Sequence, residues 1–126
     1  DEMADILGFR VVCPFITDVT FCIDIIKRLP DVSIIAEKDY ISRPKDNGYR
    51  SYHIIAKYKD YTIEIQIRTI AFDFWATLEH KIKYKKHIKN EELIVSELKR
   101  VATNISSLDT DMQVLKELVE NSEEEP

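Results

Sequence analysis

Glu64, Gln66 and Arg68 alternate with Ile63, Ile65 and Ile67. In an extended strand successive side chains point to opposite faces, so this run shows a carboxylate, an amide and a guanidinium on one face. A carboxylate so placed can accept a hydroxyl proton or ligate a divalent cation. Asp5 opens an earlier β-rich run and is a second carboxylate that a sheet can bring alongside. At the strand edge its face is not fixed by the alternation. The ordinary alternative for Glu64 is an ion pair with Arg68 on an exposed sheet face.

A second group of residues lies in the turn Pro44-Lys45-Asp46-Asn47-Gly48-Tyr49-Arg50-Ser51. Gly48 lets the backbone turn after Asn47. Tyr49 then stands at a loop end, where a ring can stack on a base. Arg43, Lys45 and Arg50 supply charge suited to phosphate. Ser51 and His53 share one face of the strand that follows, and both can hydrogen-bond. The alternative is a charged surface turn with Tyr49 plugging the core. The basic run Lys81, Lys83, Lys85, Lys86 and Lys89 falls at a helix end, where compensation of the helix dipole accounts for it.

These groups need a scaffold. Asp5 to Cys13 is dense in β-formers and is closed by Pro14. Thr17 or Asp18 can cap a helix to about Leu29, with Val19, Ile23, Ile26 and Leu29 on one face. Val32 to Ile41 is extended, and Ser42 to Arg50 is a loop. Ser51–Tyr58 and Tyr61–Thr69 form a hairpin with Lys59-Asp60 at its tip. Ile70 to about Lys86 is a helix with Ile70, Phe74, Leu78 and Ile82 in a stripe. A second helix runs from Asn90 to about Val119. Its apolar positions Ile94, Leu98, Val101, Ile105, Leu108, Met112, Leu115 and Val119 alternate in gaps of four and three, as in a coiled-coil seam. The order predicts an α+β fold: a mixed β-sheet flanked by helices, with a long C-terminal helix.

The 126 residues carry a formal net charge of −5, with 44% apolar and 33% charged side chains. That is a soluble globular composition without an apolar run long enough for a bilayer. The negative balance argues against binding long nucleic acid, and it leaves a small anionic ligand open. Cys13 and Cys22 lack metal-site spacing and read as buried thiols, which points to the cytoplasm.

Five segments occur in order: Asp5-Ile6-Leu7-Gly8-Phe9-Arg10, Lys38-Asp39-Tyr40-Ile41, the turn continued through Tyr52-His53, Glu64-Ile65-Gln66-Ile67-Arg68-Thr69, and Trp75-Ala76-Thr77-Leu78-Glu79-His80-Lys81. The set resembles the RelA/SpoT-type (p)ppGpp synthetase domain, and in its short form the bacterial small alarmone synthetases. The resemblance implies a nucleotidyltransferase-like sheet and GTP pyrophosphokinase activity, with the β,γ-pyrophosphoryl group of ATP passing to the 3′-hydroxyl of GDP or GTP. It implies Mg2+ on Asp5 and Glu64, with Glu64 also taking the hydroxyl proton. Tyr49 would stack on guanine, Lys45 and His53 would face the acceptor phosphates, and Arg10 would lie against adenine. Asn47, Ser51 and Gln66 carry over as loop and platform residues, and Arg43 and Arg68 complete the substrate-binding set.

Family synthetases carry a basic segment before the first-strand aspartate that cradles the ATP phosphates. Only four residues precede Asp5, so the expectation is a fragment with an incomplete ATP site. The expected division is a catalytic core over 1–89 and a helical arm over 90–126. The arm's seam, with the tetramers that the resemblance implies, leads to an expected homo-oligomer. Two rival readings stay open: a non-catalytic guanine-nucleotide-binding or oligomerisation module, and a nucleotidyltransferase with another acceptor.

Overall fold

The computed structural model describes residues 6–83 and 89–123. Strand β1 (Ile6–Cys13) is followed by helix α1 (Ile16–Lys27), then β2 (Val32–Asp39), β3 (Tyr52–Tyr58), β4 (Tyr61–Thr69), helix α2 (Ile70–Lys83) and helix α3 (Glu91–Asn121). The strands form one sheet in the order β1-β4-β3-β2. β1 runs parallel to β4, whereas β3 is antiparallel to both of its neighbours, β4 and β2. This is the mixed sheet that the element order predicts.

One face of the sheet is apolar and lies under α1. Ile54, Ala56 and Ile67 are buried there with Val19 and Ile26 of the helix. Leu29, expected on the same helical face, lies beyond the helix end and is exposed. The cap also differs. Phe15 is the N-cap residue, and its N–H donates to Asp18 Oδ2 at 3.2 Å, so Asp18 closes the helix from inside its first turn. The hairpin tip turns at Lys59, which adopts a left-handed φ of 54°.

α2 starts directly from β4. Thr69 Oγ1 accepts the Phe72 N–H at 3.2 Å and donates its own proton to Asp109 of α3 at 2.6 Å. That junction fixes the rotation of α2, and the buried residues are Phe72 and Trp75. The stripe expected from the sequence is not the buried one: Ile70, Phe74 and Leu78 face outward. Trp75 is fully buried, and its indole N–H donates to the Leu98 carbonyl at 2.9 Å, pinning α2 to α3.

The α3 seam is used over half its length. Leu98, Val101, Ala102 and Ile105 pack on Phe72, Trp75 and Tyr49. Asp109 takes the next inward position, where burial pushes its carboxyl above the ordinary value against the lowering effect of Thr69 and Arg50. Leu108 beside it is 52% exposed, and beyond it Met112, Leu115 and Val119 are 39–57% exposed. There α3 touches α1 through polar groups, with Gln113 accepting from Thr17 and Lys116 pairing with Asp18 at 3.3 Å.

Cys13 is buried, and burial beside Cys22 pushes its thiol up to about 11; Cys22 is only half-buried. No helix among the described residues is long and apolar enough to cross a membrane.

Candidate nucleotide site

The face of the sheet opposite α1 is polar because the alternation of β4 places Glu64, Gln66 and Arg68 there. Register then selects their neighbours. Arg10 of β1, Gln66 of β4, His53 of β3 and Lys38 of β2 stand opposite one another in a row that crosses all four strands. Lys38 joins this row through a one-residue register shift between Ile34 and Ala36 of β2. Ile34 pairs with Ala56 on the core side, and without the shift Lys38 would share its face. Two register steps along, Gly8 lies opposite Glu64. No heavy atom comes within 4 Å of the position that a Gly8 Cβ would take, so the sheet is open at the β1 position paired with Glu64.

A hydrogen-bonded chain joins these side chains. Gln66 Nε2 donates weakly to Glu64 Oε1 at 3.4 Å. Arg68 NH1 donates to Gln66 Oε1 at 3.0 Å and to the Tyr49 hydroxyl at 2.8 Å. That hydroxyl lies 2.9 Å from His53 Nε2. Arg68 can only donate, so the Tyr49 oxygen accepts from it and keeps a proton for a neutral His53 nitrogen. Burial, with Lys45, Arg68 and Lys38 nearby, holds the His53 pKa below its ordinary value against the raising effect of Glu64. That shift favours the neutral imidazole. The far side of Arg68 rests on Asp73 of α2, with Nε and NH2 both 3.1 Å from Oδ1.

The loop between β2 and β3 brings Tyr49 to this face. Asn47 Oδ1 accepts the Tyr49 N–H at 3.0 Å, closing an Asx turn, and Gly48 adopts φ 98°. Tyr49 is half-buried between the α2–α3 cluster and the open face, so its ring is both wedge and wall. Tyr40 and His53 meet it edge-on at 6.1 and 5.7 Å. Lys45 Nζ stands 4.9 Å from the Tyr40 ring centre and 5.6 Å from that of Tyr49. A cleft of about 420 Å³ opens over Arg10, Gln66, Arg68 and Tyr49, bounded by Glu79 and Lys81 of α2. That volume suits a small organic ligand.

The structure thus gathers Arg10, Lys45, Tyr49, His53, Glu64, Gln66 and Arg68. It does not bring in every candidate. Ser51 is fully buried and its hydroxyl donates to the Ile67 carbonyl at 3.2 Å, so it braces the hairpin. Asn47 shapes the turn. Arg43 is exposed and outside the hydrogen-bonded chain. Asp5 lies outside the described residues. Three residues on the sheet's polar side were not singled out from sequence as site residues. Lys38 depends on the register shift, Tyr40 on the loop path, and Asp73 looks like an ordinary acidic residue at a helix start.

The mixed four-stranded sheet with three helices is an α+β fold, and its likeness to the solved structures below makes it nucleotidyltransferase-like. Residues 1–89 match the family model described as a region found in RelA / SpoT proteins. The chain belongs to the RelA/SpoT family. GTP pyrophosphokinase YwaC of Bacillus subtilis is 41% identical over 128 residues, which cover 95% of this chain and 61% of that protein. Among solved structures, a GTP pyrophosphokinase family protein from Streptococcus pneumoniae superposes with a TM-score of 0.82 at 36% identity, covering 90% of this chain and 64% of the other. Small alarmone synthetase 1 of Bacillus subtilis, bound to its product pppGpp, gives 0.81 at 34% identity, covering 88% and 60%. The chain therefore spans about three fifths of the length of these relatives.

Proposed function

We propose that the protein is a GTP pyrophosphokinase. The observation that carries this reading is the continuous chain from Glu64 through Gln66 and Arg68 to Tyr49 and His53 on one open sheet face. In the reaction, the 3′-oxygen of GDP or GTP bonds to the β-phosphorus of ATP. The bond from that phosphorus to the oxygen bridging the α-phosphate breaks, and AMP leaves. Glu64 takes the hydroxyl proton. Tyr49 holds guanine, with its hydroxyl tethered so that the ring keeps one orientation. Lys45 and neutral His53 face the acceptor phosphates, and Arg10 lies against adenine. Rate enhancement rests on alignment and charge stabilisation more than on covalent chemistry.

Among the described residues no three acidic, histidine or cysteine groups cluster as a metal cage. The open β1 position at Gly8, paired with Glu64, instead suits Mg2+, which keeps water and substrate-phosphate ligands with one or two carboxylates. Asp5 and Glu64 would hold it, and when bound it neutralises charge on the transferring phosphates.

In this reading residues 1–89 are the catalytic core and 90–126 an arm through which cytoplasmic copies of the protein assemble, as a tetramer. The uncovered half of the α3 seam supports that assembly. The experiment is incubation of the full-length protein with ATP and GDP or GTP, with products separated chromatographically. AMP and a 3′-pyrophosphorylated guanosine nucleotide are expected in equal amounts. Guanine-nucleotide binding without product would leave the non-catalytic module as the function.

A further inference from the structure

Asp73 sits in the first turn of α2, where a carboxylate ordinarily offsets the positive end of the helix dipole. Its contacts go further. Its Oδ1 receives two nitrogens of Arg68 at 3.1 Å each and lies 3.5 Å from Arg10 Nε. Arg68 is on β4 and Arg10 on β1, two register steps apart along the parallel pair. Two guanidinium groups from neighbouring strands therefore converge on one carboxylate oxygen.

The consequences differ for the two arginines. The Arg68 side chain is only 7% exposed, and all three of its nitrogens are committed: Nε and NH2 to Asp73, NH1 to Tyr49 and Gln66. A planar fork held on its back edge presents its front edge in one direction only. Arg10 is 55% exposed at the cleft, and Asp73 is the carboxylate that its Nε approaches there. Without the carboxylate, two like charges would face each other across a half-enclosed site.

We infer that Asp73 is a positioning residue for both nucleotides, an inference that rests on the nucleotide site proposed above. Through Arg68 it sets the Tyr49 hydroxyl and so the acceptor base. Through Arg10 it sets the donor base. A residue that served only the helix dipole would affect stability and neither nucleotide.

The test uses the full-length protein with Asp73→Ala and Asp73→Asn. Binding of GDP and of a non-hydrolysable ATP analogue is measured by calorimetry, alongside KM and kcat for both substrates and the thermal midpoint. Asp73→Ala should weaken both nucleotides by about tenfold. Asp73→Asn should fall between it and the wild type, because its amide oxygen still accepts from Arg68 but no longer neutralises the pair. In an Arg68→Ala background, Asp73→Ala should have no further effect on GDP and should still weaken the ATP analogue. A lowered midpoint with both affinities unchanged overturns the inference, and so does loss of one nucleotide alone. If the alanine variant fails to fold, wild-type affinities in Asp73→Asn overturn it equally. Wild-type protein that binds neither nucleotide would instead refute the site itself.

Discussion

Gly48 is the point at which the Tyr49 loop presses on α3, and replacing it with alanine tests whether that contact sets the loop. A Cβ built on Gly48 would lie 2.5 Å from the Ala102 Cβ, far inside van der Waals contact, and Ala102 is itself only 3% exposed. The glycine also holds φ 98°, which L side chains rarely adopt. The left-handed conformation costs about 1–2 kcal/mol for a residue with a Cβ, and overpacking of a filled site costs about 1–3 kcal/mol more. Gly48→Ala should therefore destabilise the fold by about 2–5 kcal/mol if the loop stays seated. If the loop lifts instead, stability falls less and GDP affinity falls more, because Tyr49 moves with it. Denaturant unfolding and GDP calorimetry on the same samples separate the two routes. Adding Ala102→Gly should recover the overpacking part, less about 1 kcal/mol for a glycine inside α3, and leave the backbone part. Unchanged stability together with unchanged GDP affinity in Gly48→Ala would refute the reasoning.

Other outcomes follow from the same geometry. Glu64→Gln should lower turnover by at least ~10²-fold, the low end for a general base, with the fold retained; near-normal turnover in a folded variant removes Glu64 from that role. His53 has a folded pKa below its unfolded value, so between the two the unfolded chain binds more protons. Its contribution to stability is therefore complete above about pH 6.5 and is lost as pH falls through the lower folded value, and His53→Gln should flatten that part of a melting-temperature profile. Met112→Glu with Leu115→Glu should reduce the assembly state in light scattering without unfolding the domain, since both side chains are exposed in the single chain. A wild-type monomer at tens of micromolar would remove the proposed assembly.

The sheet was legible in the sequence because its signal is redundant. Strict alternation from Tyr61 to Arg68, a two-residue tip and a β-rich partner all demand the same hairpin, and Glu64, Gln66 and Arg68 then share a face by geometry alone. The faces of the helices were less legible. α2 carries two apolar sets, Ile70–Phe74–Leu78 and Phe72–Trp75, and either satisfies helical periodicity. The choice is made by Thr69, whose hydroxyl caps α2 and reaches Asp109, and that long-range contact leaves no local trace. In α3 an unbroken four–three pattern runs past the point where packing stops. The interruption is Asp109, an ionisable residue that pattern-reading assigns to the surface.

The placement of the candidate site residues divides in the same way. Tyr49, His53, Glu64, Gln66 and Arg68 were readable because each sits on a strand or at a turn whose geometry the sequence dictates. Lys38 was not, because a register shift of one residue reverses the face of everything after it. Ser51 was readable as a hydrogen-bonding residue but not as a buried one, since burial depends on the Ile67 carbonyl across the hairpin.

Arg68 shows why such a site cannot be reduced to its apolar scaffold. Burying a guanidinium is costly, and an apolar side chain of similar size in such a place often gives an equally stable or more stable protein. The arrangement persists here with every Arg68 nitrogen engaged, and among the described residues no buried side-chain polar atom lacks a partner. The partners are not dispersed. Gln66 and Asp73 lie within five residues of Arg68 on β4 and α2, and Tyr49 arrives from a loop braced on α3. A rigid strand-to-helix junction without an intervening loop thus fixes the charge, and the charge fixes the aromatic ring. Among the described residues Arg68 is the group that connects Gln66 to Tyr49, and an apolar residue at position 68 would break that link. The burial cost, met by a partner for every nitrogen, supports the proposed ligand-positioning role of this cluster.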